Sequence, residues 1–276
     1  GALFVVVERR TAQPLLDVSV FGNSRFSIGA LVIMVAFTAQ AGSMYLGAQY
    51  LQNVLAYNPL EAGLAVLPLG LTVLLVAPRG VAINARWGSR KTVTAGLLVM
   101  AAGFVLVRFW GPTSPYPVIA ITYVVLAAGL ALAMTPATNL IMGSLPHAKA
   151  GIGSAVNDVT RDMGSALGIA VFGTIVTIQY TRFFEQAFTQ LSPEQAARIS
   201  GDIAATISDS LGGALAVAAA YPGAMADKVV AAARDAWLAG QDLAMVTAIG
   251  MVLILAAIVW LRLRDVAPAA AGDPLS

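Results

Sequence analysis

Six stretches of this chain, residues 26–55, 59–83, 91–110, 117–145, 150–180 and 237–263, are each long and apolar enough to cross a bilayer as a helix. A hydrocarbon core of ~30 Å is spanned by about 20 helical residues, and only a helix or a closed barrel satisfies its backbone polar groups there. Composition agrees: 58% of the residues are hydrophobic and 11% charged, with a mean hydropathy of +0.80. Soluble domains are nearer ~45–50% apolar and ~25% charged. The expected fold is an all-α integral membrane bundle of six transmembrane helices.

The remaining segments divide the chain further. Residues 1–7 are apolar and run at once into Glu8, Arg9 and Arg10. They read as the stump of a preceding membrane helix, so the chain is expected to be a fragment, with residues 1–25 forming that stump and an interfacial linker. Residues 181–236 are too polar to span and read as a helical cap. Ser192, Pro193 and Gln195 give a helix-start signal, and a second surface helix is expected after Tyr221, Pro222 and Gly223. Residues 264–276 are expected to be a disordered tail.

Charge in the short loops sets the expected orientation. Arg25, Arg86, Arg90, Lys91, Lys149, Arg262 and Arg264 fall on one side, whereas the loops at 57–61 and 111–117 contain no Lys or Arg. The positive-inside rule puts the basic side and the C-terminus in the cytoplasm and the cap outside.

The same inventory excludes several kinds of chemistry. The chain has no cysteine and one histidine, His147, so thiolate chemistry and multi-histidine metal sites are ruled out, and no cofactor is expected. A net charge of +2 with scattered basic residues gives no nucleic-acid footprint. No nucleotide-binding loop of the G-x-x-x-x-G-K-[ST] type occurs. Apart from Lys91 at the very edge of the third span, no His, Cys or Lys lies inside a span to supply a nucleophile and base, so no enzyme is expected.

The fifth span is unusual in carrying Asp158, Arg161 and Asp162. With Ser165 they fall at i, i+3, i+4 and i+7, on one helical face. A single Arg can neutralise only one of the two acids, and mutual repulsion favours holding a proton on one carboxylate. This face is either a proton-coupling site or a charge lock near the cytoplasmic interface. Gly164 and Gly168, on a neighbouring face, form a small-xxx-small pair suited to close helix packing.

Other polar residues in the spans are also candidates. Tyr45 and Gln49 lie on one face of the first span with Thr38 and Gln52, and suit a cavity for amphipathic organic molecules. Asn139 either faces that cavity or joins Thr135 and Thr138 in satisfying the carbonyl freed by Pro136. Asp242 is either a second protonation site or a solvated acid near the outer mouth. Glu61 is expected to cap the start of the second span.

Several strings go beyond composition. PLLDVSVFGNSRF from Pro14, YLQNVLAYNPLEAGLAVLP from Tyr50, PATN from Pro136, GSLP from Gly143 and GIGSAVNDVTRDMGSALGIAVFG from Gly151 together resemble the fourteen-helix drug:proton antiporters of the major facilitator superfamily. The resemblance implies that the six spans are the last six of fourteen, the C-terminal half of a transporter. It implies multidrug efflux across a bacterial plasma (inner) membrane, with the lipid bilayer, a small drug-like molecule, protons and a missing N-terminal helix bundle as partners. It singles out Arg161 as a motif residue. It also likens Gly80, Arg86, Gly88 and Arg90 to the superfamily's basic gating loop, although Ala85 stands where that loop usually has an acid. The alternatives are a transporter of another solute, or a non-transporting bundle that acts as a receptor or assembly partner.

Overall fold

The computed structural model describes residues 18–146, 150–189 and 201–263, and every regular element among them is helical. A 3-10 turn (Val18–Gly22) leads into α1 (Ser24–Gln49), whose end widens into a π-turn at Tyr50–Val54. Then follow α2 (Pro59–Ala65), α3 (Leu67–Val107), α4 (Tyr116–Met142), α5 (Ala150–Thr189), α6 (Gly201–Asp209), α7 (Leu211–Ala220) and α8 (Ala224–Arg262). The opening stump, the helix start at Ser192, Lys149, His147 and the tail from Arg264 lie outside the described residues.

Five helices are long and apolar enough to cross a membrane, and one of them, Pro59–Val107, has 49 residues. A straight helix of that length would measure ~70 Å, more than twice the ~30 Å hydrocarbon core. The run is broken at Gly88, with φ 79° and ψ 161°, a conformation essentially reserved for glycine. The chain folds back there. Gly80 and Gly96, which a straight helix would hold ~24 Å apart, both lie against α4: a Cβ on Gly80 would sit 3.6 Å from the Ala131 carbonyl oxygen, and one on Gly96 would sit 2.6 Å from the Ala133 nitrogen. The second and third predicted spans are thus two arms joined at Gly88.

At the start of the first arm, Asn58 and Glu61 close a reciprocal capping box, each side chain accepting from the other's backbone N–H at 2.9 Å. At the far end of the chain, α8 runs unbroken from Ala224, so the surface helix expected after Gly223 and the sixth span are one element. Likewise α5 continues past Tyr180 to Thr189.

Within lipid the apolar effect does not draw helices together, and small residues that allow close backbone approach take over. α1 is the most enclosed helix: 67% of its most apolar window is buried, against 11% for the Pro59–Val107 run. α1 and α5 run parallel and meet at glycines. A Cβ on Gly164 would lie 2.5 Å from the Met34 carbonyl oxygen, and one on Gly168 would collide with the Thr38 carbonyl oxygen. α4 is antiparallel to α1, since Gly29 faces Ala137 and Ile141 while Gly47 faces Tyr123.

These pairings define two ends of the bundle. One holds Asn23, Gly88, Gly143 and Ala150, together with Trp260, which lies beneath Arg90 at 4.1 Å. The other is closed by an aromatic cluster in which Tyr50 packs on Trp110 at 4.8 Å and on Trp237 at 6.4 Å. The cluster's polar edges are tied down: the Tyr50 hydroxyl donates to the Gly111 carbonyl at 2.7 Å and the Trp110 indole N–H to the Thr122 hydroxyl at 3.3 Å. At this second end the cap helices α6 and α7 pack against α5 and α8.

Candidate functional site

Asp158, Arg161 and Asp162 share an exposed face of α5, about two to three turns from its start at the Gly88 end. Arg161 donates to Asp158 Oδ1 at 3.3 Å, and its guanidinium also lies 5.8 Å from the Phe37 ring of α1. Asp162 makes no ion pair among the described residues. Among the described residues the two acids are therefore inequivalent: Asp158 has Arg161 as a counterion and Asp162 has none. Ser165 is half-buried and donates to the Arg161 carbonyl of its own helix at 2.9 Å.

Two further residues extend this face. Thr138 of α4 donates to Asn157 Oδ1 at 3.3 Å, and the Asn157 amide donates to Asp158 Oδ1 at 3.5 Å. A continuous line of polar contacts thus runs from α4 through Asn157, Asp158 and Arg161 to Phe37 on α1. The sequence reading assigned Thr138 to the carbonyl freed by Pro136 and passed over Asn157. The adjacency of Asn157 to Asp158 was a usable signal, but its partner on α4 depends on how the helices pack.

Tyr45 and Gln49 reach a different place. They line a cavity of about 140 Å³ at the aromatic end, with Tyr180, Trp237, Asp209 and Ser210. Thr38, expected on the same face, is buried, with its hydroxyl donating to the Met34 carbonyl at 2.8 Å. Asn139 does not join this cavity: it is exposed near the opposite end of α4, next to Thr138. The polar candidates therefore split between the two ends of the bundle.

The basic loop also divides. Gly88 makes the turn itself, Arg86 is exposed beside it, and Arg90 stacks over Trp260. Gly80 is buried two turns away against α4, so its surroundings are those of a packing residue.

Asp242 has a partner that the sequence reading passed over. Arg108, capping the C-terminus of α3, donates through Nε to Asp242 Oδ1 at 2.5 Å and through Nη2 to Oδ2 at 3.2 Å. Both side chains remain a little over two-fifths exposed (44% and 43%). Opposite charges near the same end of the third and sixth spans were the available signal.

Comparison with known proteins places this geometry. Residues 5–169 match the Major Facilitator Superfamily. The multidrug efflux pump LfrA of Mycolicibacterium smegmatis is 33% identical over 265 residues, covering 96% of this chain and 51% of that protein. The multidrug resistance protein Stp of Mycobacterium tuberculosis is 30% identical over 197 residues, 71% of this chain and 36% of Stp. The tetracenomycin C resistance and export protein of Streptomyces glaucescens is 27% identical over 96% of this chain and 49% of its own length. The chain thus spans about half the length of the curated relatives that it matches end to end.

Proposed function

The chain belongs to the Major Facilitator Superfamily, and from that premise we propose that it forms the C-terminal, six-crossing half of a multidrug:proton antiporter. In this reading the two arms joined at Gly88 each cross the membrane. Arg25, Arg86, Arg90, Lys91 and Arg262 then gather at one end, which the positive-inside rule makes cytoplasmic, and the cap faces outward. The compound exported is lipophilic or cationic, and the membrane is the bacterial plasma membrane.

The observation that carries the proposal is the exposed face of α5, with Asp162 unpaired beside the Asp158–Arg161 pair. A charge facing hydrocarbon at mid-span costs roughly 2.5–3.5 kcal/mol or more. The cost falls toward the interface, but three charged residues on one exposed face two to three turns inside α5 still favour a partner bundle or a water-filled cavity over lipid. Asp162 is the acid assigned the exchangeable proton. Asp158, held by Arg161 and Asn157, fixes the local charge and braces α5 against α1 and α4. In such transporters two helix bundles rock around a site between them, and an acid at that seam changes its surroundings with each cycle. Gly164 and Gly168 keep α5 seated on α1 as it moves.

The proposal is tested with drug-sensitive cells that express the complete gene. Ethidium should leave them faster than it leaves vector controls, and a protonophore should abolish the difference. Dye accumulation equal to the controls would favour a non-transporting bundle, and efflux insensitive to the protonophore would remove proton exchange.

A further inference from the structure

The cavity at the aromatic end has chemistry of its own. It lies where the α6–α7 corner folds over the end of α1 and the inner parts of α5 and α8. Two hydrogen bonds hold the corner there: the Tyr180 hydroxyl donates to the Ile207 carbonyl at 3.0 Å and the Thr181 hydroxyl to the Ser208 carbonyl at 3.2 Å. Asp209 and Ser210 are thereby brought into the same wall as Tyr45, Gln49, Tyr180 and Trp237. The Ser210 hydroxyl oxygen is already engaged, accepting from the Gly213 N–H at 3.1 Å as the N-cap of α7.

We propose that this cavity is a headgroup site for a monovalent organic cation, a quaternary or protonated ammonium group, at the extracytoplasmic mouth of the transporter. The proposal rests on the export reading, which supplies the orientation and makes the site an exit vestibule. The open ring of Tyr45 and the exposed Asp209 carboxylate attract a diffuse cation by ring quadrupole and by charge, with the buried Tyr180 and Trp237 forming the wall behind them. The rings are preorganised: Trp237 is stacked on Tyr50, Tyr180 is anchored through its hydroxyl, and only Tyr45 is substantially exposed, at 41%. Among the described residues no Lys or Arg lines the cavity, and none pairs with Asp209.

Size and ligand count narrow the class. Drug-sized ligands occupy roughly 300–1,000 Å³, so about 140 Å³ admits a headgroup and leaves the rest of a drug outside. A hard cation such as Ca²⁺ requires six to eight oxygen ligands, whereas this wall offers one carboxylate and a few neutral oxygens. An anion would meet Asp209 unfavourably, and a neutral group would leave it without a counterion.

The test uses the full-length transporter in lipid nanodiscs and radiolabelled tetramethylammonium. We expect saturable binding that weakens about tenfold or more in Asp209→Asn and in Tyr45→Leu, the loss of a charge and of a cation–π face respectively. Asp227→Asn, at an exposed acid of α8 that does not line the cavity, should bind as wild type does. The neutral isostere 3,3-dimethyl-1-butanol should not compete. Absent saturable binding, unchanged affinity in Asp209→Asn, or equal competition by the isostere would overturn the proposal. Ethidium transport by the same purified wild type reconstituted in proteoliposomes separates the two readings: transport without tetramethylammonium binding removes only the vestibule site, and binding without transport removes the export function.

Discussion

Arg108 and Asp242, 134 residues apart in sequence, face each other through two parallel contacts of 2.5 and 3.2 Å that tie the end of α3 to α8. A guanidinium engaging both carboxylate oxygens matches the planar fork of arginine. The pair gives Asp242 a counterion on another helix, which sets it apart from Asp162 among the described residues.

Exposed ion pairs contribute little to stability, and an acid with a fixed counterion is a poor proton carrier. Asp242→Asn and Arg108→Gln should therefore each leave ethidium efflux within about threefold of wild type, since the pair is more than two-fifths exposed. The charge swap that places Asp at 108 and Arg at 242 should recover what either single change loses. Abolished efflux in Asp242→Asn, with no rescue by the swap, would make Asp242 a coupling acid.

Close packing of α1 and α5 leads to a stability test. A Cβ at Gly168 would run into the Thr38 carbonyl oxygen, whereas one at Gly250 would meet nothing within 4 Å. Gly168→Val should destabilise the full-length protein by roughly 1–3 kcal/mol. Gly250→Ala should be neutral or stabilising by up to about 1 kcal/mol. Thermal unfolding in detergent measures both, and equal melting temperatures would show that the two helices do not meet here.

The turn at Gly88 can be tested as topology. If Pro59–Val107 crosses twice, Ala85 and Ser114 lie on opposite sides of the membrane, and Ala56 lies on the side of Ser114. Single cysteines at these positions, in a background made free of other cysteines, should react with an impermeant maleimide accordingly: Ala56→Cys and Ser114→Cys from outside, Ala85→Cys only after permeabilisation. Labelling of Ala85→Cys in intact cells would contradict the second crossing.

Much of this architecture was legible in the chain because the bilayer imposes a length on every span, and the runs of 26–55, 117–145 and 150–180 correspond closely to α1, α4 and the apolar part of α5. The charged face of α5 was legible for a similar reason, since i, i+3 and i+4 spacing fixes which residues share a side. What periodicity could not supply was the partner on another helix. Arg108 for Asp242, Thr138 for Asn157 and Phe37 for Arg161 all depend on helix order and register. Helix continuity was hidden too: the start of α8 is polar enough to read as surface, and nothing in hydropathy says that it joins the sixth span without a break. Asp209 escaped notice because its significance comes from the corner that carries it over Tyr45 and Trp237.

The central claim, that Asp162 carries the exchanged proton while Asp158 and Arg161 hold fixed charge beside it, is tested most directly in everted membrane vesicles containing the full-length transporter. With the lumen acidified, adding ethidium should release protons through the wild type. Asp162→Asn should abolish this release yet retain exchange of labelled for unlabelled ethidium, which needs no net proton movement. Drug-evoked proton release by Asp162→Asn at the wild-type rate would contradict the account.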